Sequence, residues 1–366
     1  MTKLRDICRF QSGGTPSRGT PAYFNGNVPW ITTVALNGDV IDGNQAIEWI
    51  TGEAIAKSAA KIVPPHSVMV GTRVGIGKVA INSVPMSTSQ DIISLIGIDE
   101  NKWDKKFICH LITANKEHLT SQARGATIKG IKIEAIADLV LPEISLTEQA
   151  RISEVIGKVD ALMHMHQQMA MNLEQLIKSR FIELFGDCDL THPQESWVTI
   201  KEIGSVVGGA TPKTDHDEYW GGSYRWITPA ELDADSGYIY DSVRKLTKAG
   251  VESCSLQEMP VGTVILSSRA PIGKVAIAGN TFYCNQGFKN IICKEGITPR
   301  YLYTVLLLNV EYLNSLGRGA TFKEISKGIV ESIRIPVPSM ELQEQFAAFV
   351  EQTDKSKLCG KMEVAA

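Results

Sequence analysis

The chain has 366 residues, 43% of them hydrophobic and 21% charged, with 31 Gly and 15 Pro; this is a globular composition, long enough for two or three domains. A net charge of −3 argues against a strongly basic nucleic-acid binder, but the acidity is concentrated: residues 141–190 carry 4 basic against 8 acidic side chains, while residues 1–140 carry 15 against 12. The opening residues have no apolar signal core, no run of 18 apolar residues occurs, and the 7 scattered cysteines form no CxxC pair, so a cytoplasmic protein with reduced thiols and no membrane span is expected.

In chain order, short β-rich runs such as Ser67–Val70 alternate with Gly/Pro turns, and a helical stretch follows at Lys105–Leu119. A long helix is then expected over Ser145–Gly186. Ser145 stands three residues before Glu148, and Gly186 offers the stop. Within it Ile152, Val155, Val159, Leu162, His166, Met169, Leu173, Leu176 and Leu184 recur at steps of three and four, the 3.5-residue repeat of a coiled-coil seam. At 1.5 Å per residue such a helix spans about 55–60 Å. Thr263–Leu266 and Pro299–Ser315 repeat the strand and helix signals, and Glu341–Leu358 places Leu342, Phe346, Phe349, Val350 and Thr353 on one face, the expected partner of the seam.

The most informative feature is internal repetition. Gly14-Thr15-Pro16 returns as Ala210-Thr211-Pro212, Tyr23-Phe24-Asn25-Gly26 as Tyr219-Trp220-Gly221-Gly222, and Trp30-Ile31-Thr32 as Trp226-Ile227-Thr228, each 196 residues on. Arg73 with Ile76-Gly77-Lys78-Val79-Ala80-Ile81 returns as Arg269 with Ile272-Gly273-Lys274-Val275-Ala276-Ile277, and Ser89-Gln90-Asp91 as Asn285-Gln286-Gly287. Arg124-Gly125-Ala126-Thr127 matches Arg318-Gly319-Ala320-Thr321 at 194, and Leu146, Glu148 and Gln149 are matched with Leu342, Glu344 and Gln345. A period this long is a duplicated domain, not a solenoid. The expected fold is α+β: two tandem-duplicated mixed α/β domains separated by two long antiparallel coiled-coil helices with pseudo-twofold symmetry. The boundaries are 1–144, 145–186 (spacer helix), 187–338, 339–359 (a distal helix that looks truncated) and a tail at 360–366.

Reactive centres are sought without success. Val74-Gly75-Ile76-Gly77-Lys78 lacks the first glycine and the Ser/Thr of a phosphate loop, so it reads as a strand-entry turn with an outward lysine. His164 and His166 point to different sides of a helix, and no dinucleotide fingerprint, GxSxG elbow or duplicated carboxylate pair is found. What is duplicated is Thr, Arg, Lys, Gln and aromatic residues, an inventory suited to phosphates and base edges. The candidate DNA-binding residues are Thr15, Arg73, Lys78, Gln90, Arg124 and Lys129, with Thr211, Lys213, Arg269, Lys274, Gln286, Arg318 and Lys323 in the second copy. Trp30 and Trp226 read as core anchors. Base-specific groups belong where the copies differ.

These blocks, with the helix ending Lys178-Ser179-Arg180-Phe181-Ile182-Glu183-Leu184-Phe185-Gly186-Asp187, resemble the specificity (S) subunit of type I restriction–modification systems. The resemblance covers nearly the whole chain. It implies two target recognition domains, each reading one half of an asymmetric bipartite site on double-stranded DNA, with the helices setting the spacing and docking two modification subunits. It also implies association with restriction subunits and no catalysis by this chain. No cofactor or metal is expected here, S-adenosylmethionine, ATP and Mg belonging to the partners. The competing readings are a stand-alone DNA methyltransferase or nuclease with an embedded recognition region, and a coiled-coil protein scaffold.

Overall fold

The computed structural model describes residues 1–38, 40–125, 129–232, 237–269, 271–319 and 323–365, with side chains described as far as residue 356. It divides into two units, Met1–His164 and Met165–Ala366. In the first, nine strands follow in order: β1 (Arg9–Ser12), β2 (Phe24–Ile31), β3 (Val40–Ile41), β4 (Glu48–Ile50), β5 (Ile62–Val63), β6 (Val68–Gly71), β7 (Val79–Asn82), β8 (Met86–Thr88) and β9 (Ile92–Ile96). They form a five-stranded sheet ordered β1-β9-β6-β7-β3 and a four-stranded sheet ordered β4-β2-β8-β5.

In the second unit the strands are β10 (Val198–Thr199), β11 (Gly204–Gly208), β12 (Trp220–Ile227), β13 (Tyr238–Ile239), β14 (Arg244–Leu246), β15 (Val264–Leu266), β16 (Val275–Ala278), β17 (Tyr283–Cys284), β18 (Lys289–Cys293) and β19 (Arg334–Ile335). The sheet orders β11-β18-β15-β16-β13 and β14-β12-β17 repeat those of the first unit except that the counterpart of β5 is reduced to the single bridge Met259–Phe282, and β10-β19 repeats the single bridge Lys3–Val140. The duplication read in the sequence is therefore a duplication of topology.

The strands form where the pattern demands burial. Val68–Gly71 and Val79–Asn82 are buried at every position, continuous runs covered on both faces. Each expected helix beside the sheet is two segments: Lys105–Ala114 and Lys116–Ser121 meet at Asn115, and Pro299–Leu308 and Val310–Ser315 meet at Asn309. The asparagine explains the break, because its amide turns back onto a helix carbonyl, Leu111 in one unit and Val305 in the other. Asn309 also binds the Cys188 carbonyl and the Leu190 N–H, holding the chain that leaves the long helix.

The long helix is continuous from Leu146 to Phe185. The Ser145 hydroxyl accepts from the Glu148 N–H at 3.2 Å, and Gly186 closes the helix at φ +74°. The helix is rooted through Gln149, which is 1% exposed: its amide oxygen accepts from the Asp104 N–H at 3.0 Å, and its NH₂ donates to the Lys102 and Ile144 carbonyls. In the second unit Gln343, 0% exposed, does the same with the Thr298 N–H and the Gly296 and Pro338 carbonyls. The structural partner of Gln149 is thus Gln343, not Gln345.

Two further expectations change. The distal helix runs Met340–Ala365, through most of the segment expected as a tail. Among the described residues its apolar face reaches only the C-terminal end of the seam, around Leu184. Phe346 packs on Phe181 and Phe185 at 5.3 and 5.6 Å, and Arg180 lies over Phe349, an antiparallel contact at the last turns of the long helix. Val155, Val159, Leu162, Met169 and Leu176 remain 43–54% exposed. Both helix ends are rooted on the second unit's core, so pairing starts there.

Gln149→Leu leaves three buried backbone groups without partners and is expected to destabilise the first unit by about 2–4 kcal/mol. Urea unfolding of the purified chain checks this, with Gly157→Ala as the opposite control. Gly157 is helical and a Cβ there meets nothing within 4 Å; about 0.5–1 kcal/mol of stabilisation is expected from that change.

Candidate nucleic-acid interface

The loop Gly13-Gly14-Thr15-Pro16 is shaped by close backbone packing. Gly13 and Gly14 donate to the Ile92 and Thr88 carbonyls, and a Cβ on Gly13 would stand 2.1 Å from the Ser89 oxygen. Trp30, buried as expected, donates its Nε1 to the Gly14 carbonyl at 3.0 Å, and Trp226 repeats this with Ala210 at 3.1 Å. With the loop pinned from inside, Thr15 and Thr211 face solvent beside the loops that carry Gln90 and Gln286. In the second unit the Thr211 hydroxyl donates directly to the Gln286 amide oxygen. Lys213 is exposed, its carbonyl receiving Trp220 Nε1 at 3.2 Å.

The next cluster lies along the same edge. Between β6 and β7 the chain turns through Gly75 and Gly77 at φ +72° and +76°, the strand-entry turn expected in place of a phosphate loop. Arg73 and Lys78 project from it into solvent. The Ile131 N–H donates to the Thr72 carbonyl, and Arg124 and Gly130 exchange both backbone hydrogen bonds, so Arg124 and Lys129 are carried beside Arg73. The second unit repeats this: Ile325 donates to the Ser268 carbonyl, and Arg318 and Glu324 pair through their backbones, bringing Arg318 and Lys323 beside Arg269. Residues 126–128 and 320–322, which include the Ala-Thr of each expected Arg-Gly-Ala-Thr motif, lie outside the described residues.

The two arginines are held by carboxylates from different places. Arg73 reaches Asp91 at 3.5 Å. Arg269 donates its Nε to Glu324 at 3.0 Å, and Lys289 joins the same carboxylate at 3.1 Å. By repeat position Asp91 corresponds to Gly287 and Glu324 to Gly130, so each unit keeps one carboxylate and deletes the other. Burial works to raise the Glu324 carboxyl, but the Lys289 and Arg269 hydrogen bonds and charges overcome it and hold the group below its usual value.

Lys274 differs from the outward lysine expected of it. It is half-buried, its ammonium held by the Pro229 and Leu232 carbonyls at 3.1 and 3.0 Å, whereas its counterpart Lys78 is exposed. Sequence reasoning also missed Arg18, Glu48 and Arg244. Arg18 binds both Glu48 oxygens at 2.8 and 3.0 Å over the Phe24 ring; Arg244 stands 3.5 Å above the Trp220 ring centre. The available signal was that positions 48 and 244 are repeat equivalents of opposite charge. Elsewhere, burial pushes the thiols of Cys8, Cys109, Cys284 and Cys293 up to about 12, which leaves them protonated and weakly nucleophilic at neutral pH. Among the described residues no three His, Cys, Asp or Glu side chains gather to hold a metal, and no helix is long and apolar enough to cross a membrane.

The chain is thus a tandem of two copies of one α+β fold, each with a Gln-rooted helix and an edge of exposed Thr, Gln, Arg and Lys. Residues 1–175 and 195–360 both match the family model of the type I restriction modification DNA specificity domain, and the chain belongs to that family. It is 42% identical over 185 residues to the type I restriction enzyme MjaIX specificity subunit of Methanocaldococcus jannaschii, a match covering 49% of this chain and 43% of that one. It is 26% identical over 227 residues to the EcoR124I/EcoR124II specificity subunit of Escherichia coli, covering 58% and 53%. The chain thus spans about half the length of these two relatives. Against the putative MjaX specificity subunit of M. jannaschii it is 23% identical over 376 residues, covering 97% and 86%. Its fold is shared with the crystal structure of the type I restriction–modification S subunit of M. genitalium, at a TM-score of 0.60 and 16% identity over 100% of this chain and 91% of that one.

The Glu324 pairing carries a pH signature. A carboxyl held low in the folded state contributes stability that is complete above its unfolded value, near pH 4, and is lost as pH falls through the lower folded value. The stability advantage of wild type over Glu324→Gln is therefore expected to be constant at neutral pH and to shrink below about pH 4. Thermal unfolding of both proteins from pH 7 to pH 3 measures it, and parallel curves throughout would exclude the pairing.

Proposed function

We propose that this chain is the DNA-recognition subunit of a type I restriction–modification complex, each unit reading one half of an asymmetric bipartite site. The observation that carries the reading is the repetition of one topology with different groups at equivalent surface positions, in a chain whose two halves both match the DNA specificity domain. Arg73, Lys78, Arg124 and Lys129, with Arg269, Arg318 and Lys323, are assigned to the DNA backbone, where cations set register without reading sequence. Thr15, Gln90, Thr211 and Gln286 line the same edge, and Lys213 extends it. Lys274 acts indirectly, bracing the 229–232 loop through its two carbonyl contacts.

The exposed stripe from Val155 to Leu176 is assigned to docking of modification subunits, which would bring S-adenosylmethionine, while ATP and Mg would enter with restriction subunits. The chain itself would do no chemistry, and the complex would work in the cytoplasm. A row of apolar side chains along one stiff helix is a surface a soluble partner can bury.

Two outcomes are expected on co-expression with modification subunits. Mapping of methylated bases in host DNA should give one asymmetric bipartite motif, and exchanging residues 191–338 for those of another family member should alter one half of it only. Val159→Asp with Leu162→Asp should abolish co-purification of the modification subunits while leaving the thermal unfolding of the isolated chain within about 1 kcal/mol, since both side chains are half exposed. Retained co-purification would remove the stripe from the docking surface.

A further inference from the structure

Each unit has a guanidinium lying on an aromatic ring at the same place, but supplied from a loop in one and from a strand in the other. In the first unit the ring is Phe24, at the start of β2. Arg18 comes from the preceding loop, 5.7 Å from the ring centre, and both its terminal nitrogens are taken by Glu48. In the second unit the ring is Trp220 and position 214, equivalent to Arg18, is threonine. The guanidinium belongs instead to Arg244, which occupies Glu48's own position on the neighbouring strand, 3.5 Å above Trp220 and 5.5 Å from Trp226. The β12–β14 ladder sets Arg244 directly opposite Trp226.

The consequences differ. The Arg18–Glu48 pair is internally neutral, and beside it opens a cleft of about 380 Å³ lined by Asn25, Ile47 and Trp49 as well as the pair itself. Arg244 is exposed, and no carboxylate among the described residues binds its side chain. A guanidinium stacked over an indole at this distance loses rotamer freedom while its N–H groups stay available to an acceptor. The guanidinium fork matches two coplanar acceptors. Charged groups lie close by, the Glu231 carboxylate taking the Val243 N–H and Asp241 pairing with Arg225 and Lys245, but the guanidinium itself is flanked by rings: Trp220 beneath it and Tyr224, two residues from Trp226 on the same strand and 37% exposed. An aromatic flank is one that a base can share and a hydrated phosphate cannot.

We propose that Arg244, clamped on Trp220, reads a guanine edge for the second unit, and that the first unit, with Glu48 in its place, presents no such fork and demands no guanine there. This rests on the reading of the chain as a DNA-recognition subunit, and it assigns specificity to a position outside the cationic edge.

The test uses the full chain co-purified with its modification subunits and a pool of duplexes randomised over the site, with retained duplexes sequenced at low and moderate salt. Wild type should return a bipartite motif. Arg244→Ala and Arg244→Lys should both lose a guanine preference at one position of one half-site, by about ten- to a hundredfold, with the other half-site intact. The intact half-site, together with unchanged thermal unfolding, reports that the variants are folded. If Arg244→Lys keeps the preference, and Arg244→Ala merely weakens all duplexes and lowers the salt slope by about one, the contact is to phosphate and the proposal is overturned. An unchanged motif in both variants overturns it equally. If wild type selects no motif, the recognition reading itself falls, an outcome distinct from either of these.

Discussion

Gln149 and Gln343 close the contact from which the rest of each unit takes its geometry. Each sits in a dry pocket and satisfies one N–H and two carbonyls at once, which a glutamine amide can do and a glutamate carboxylate cannot. The N–H belongs to the residue that caps the helix lying on the sheet, Asp104 or Thr298. That helix breaks at Asn115 or Asn309, and the residue after the break presses on the glycine turn of the arginine cluster. A Cβ on Gly77 would meet Lys116 at 3.2 Å, and one on Gly273 would meet Val310 at 3.0 Å. One buried amide therefore links the rotation of a long helix to the position of a surface turn. The stripe and the cationic edge are set by the same root.

At the turn, the two units meet one requirement in two ways. On the proposed reading, a surface arginine that meets a DNA phosphate gains from being oriented beforehand, and a neighbouring carboxylate does this. An exposed pair of this kind is worth about 0–1 kcal/mol, so its role is orientation more than stability. Asp91 serves Arg73, and Glu324 serves Arg269. The alternative position is glycine in each case, and at 130 it has to be small: a Cβ there would stand 2.8 Å from the Arg73 side chain. Moving the carboxylate between strands changes the direction from which the guanidinium is held, and so its outward face, without changing the fold beneath.

The features legible in the sequence are those carried by local pattern or by identical residues at a fixed offset. The duplicated strand order, the tryptophan anchors, the unbroken long helix and its cap, and the glycine turn all follow from spacing, burial periodicity and capping chemistry. The helix root was misread because Leu-x-Glu-Gln around Gln149 is spelled again two positions out of phase around Gln345, and letters outweighed the buried role of Gln343. Lys274 looked like Lys78 because the difference lies in the Pro229 and Leu232 carbonyls, which the 229–232 loop delivers from 42 and 45 residues away. The seam's partner was assigned from complementary faces alone, whereas the helix roots place the distal helix against Phe181 and Phe185. Arg18, Glu48 and Arg244 escaped because attention fell on what the copies share.

That last failure points to how a duplicated reader diverges. Positions that hold the fold are tied up in backbone contacts: Trp30 and Trp226 can hardly change without losing a hydrogen bond and a buried ring, nor Gln149 and Gln343 without losing three hydrogen bonds each. The β2–β4 and β12–β14 edges have fewer such ties: the side chains of Arg18 and Glu48 contact each other and that of Arg244 rests on a ring, so exchanging them moves surface chemistry at a cost of a few tenths of a kcal/mol. Exchanging a neutral pair for a guanidinium that no carboxylate among the described residues binds is therefore an inexpensive change structurally and, on the proposed reading, a large one chemically, since a planar fork discriminates bases that a saturated ion pair does not. On the proposed reading, an asymmetric target needs only different side chains on the sheet edges of two copies of one topology.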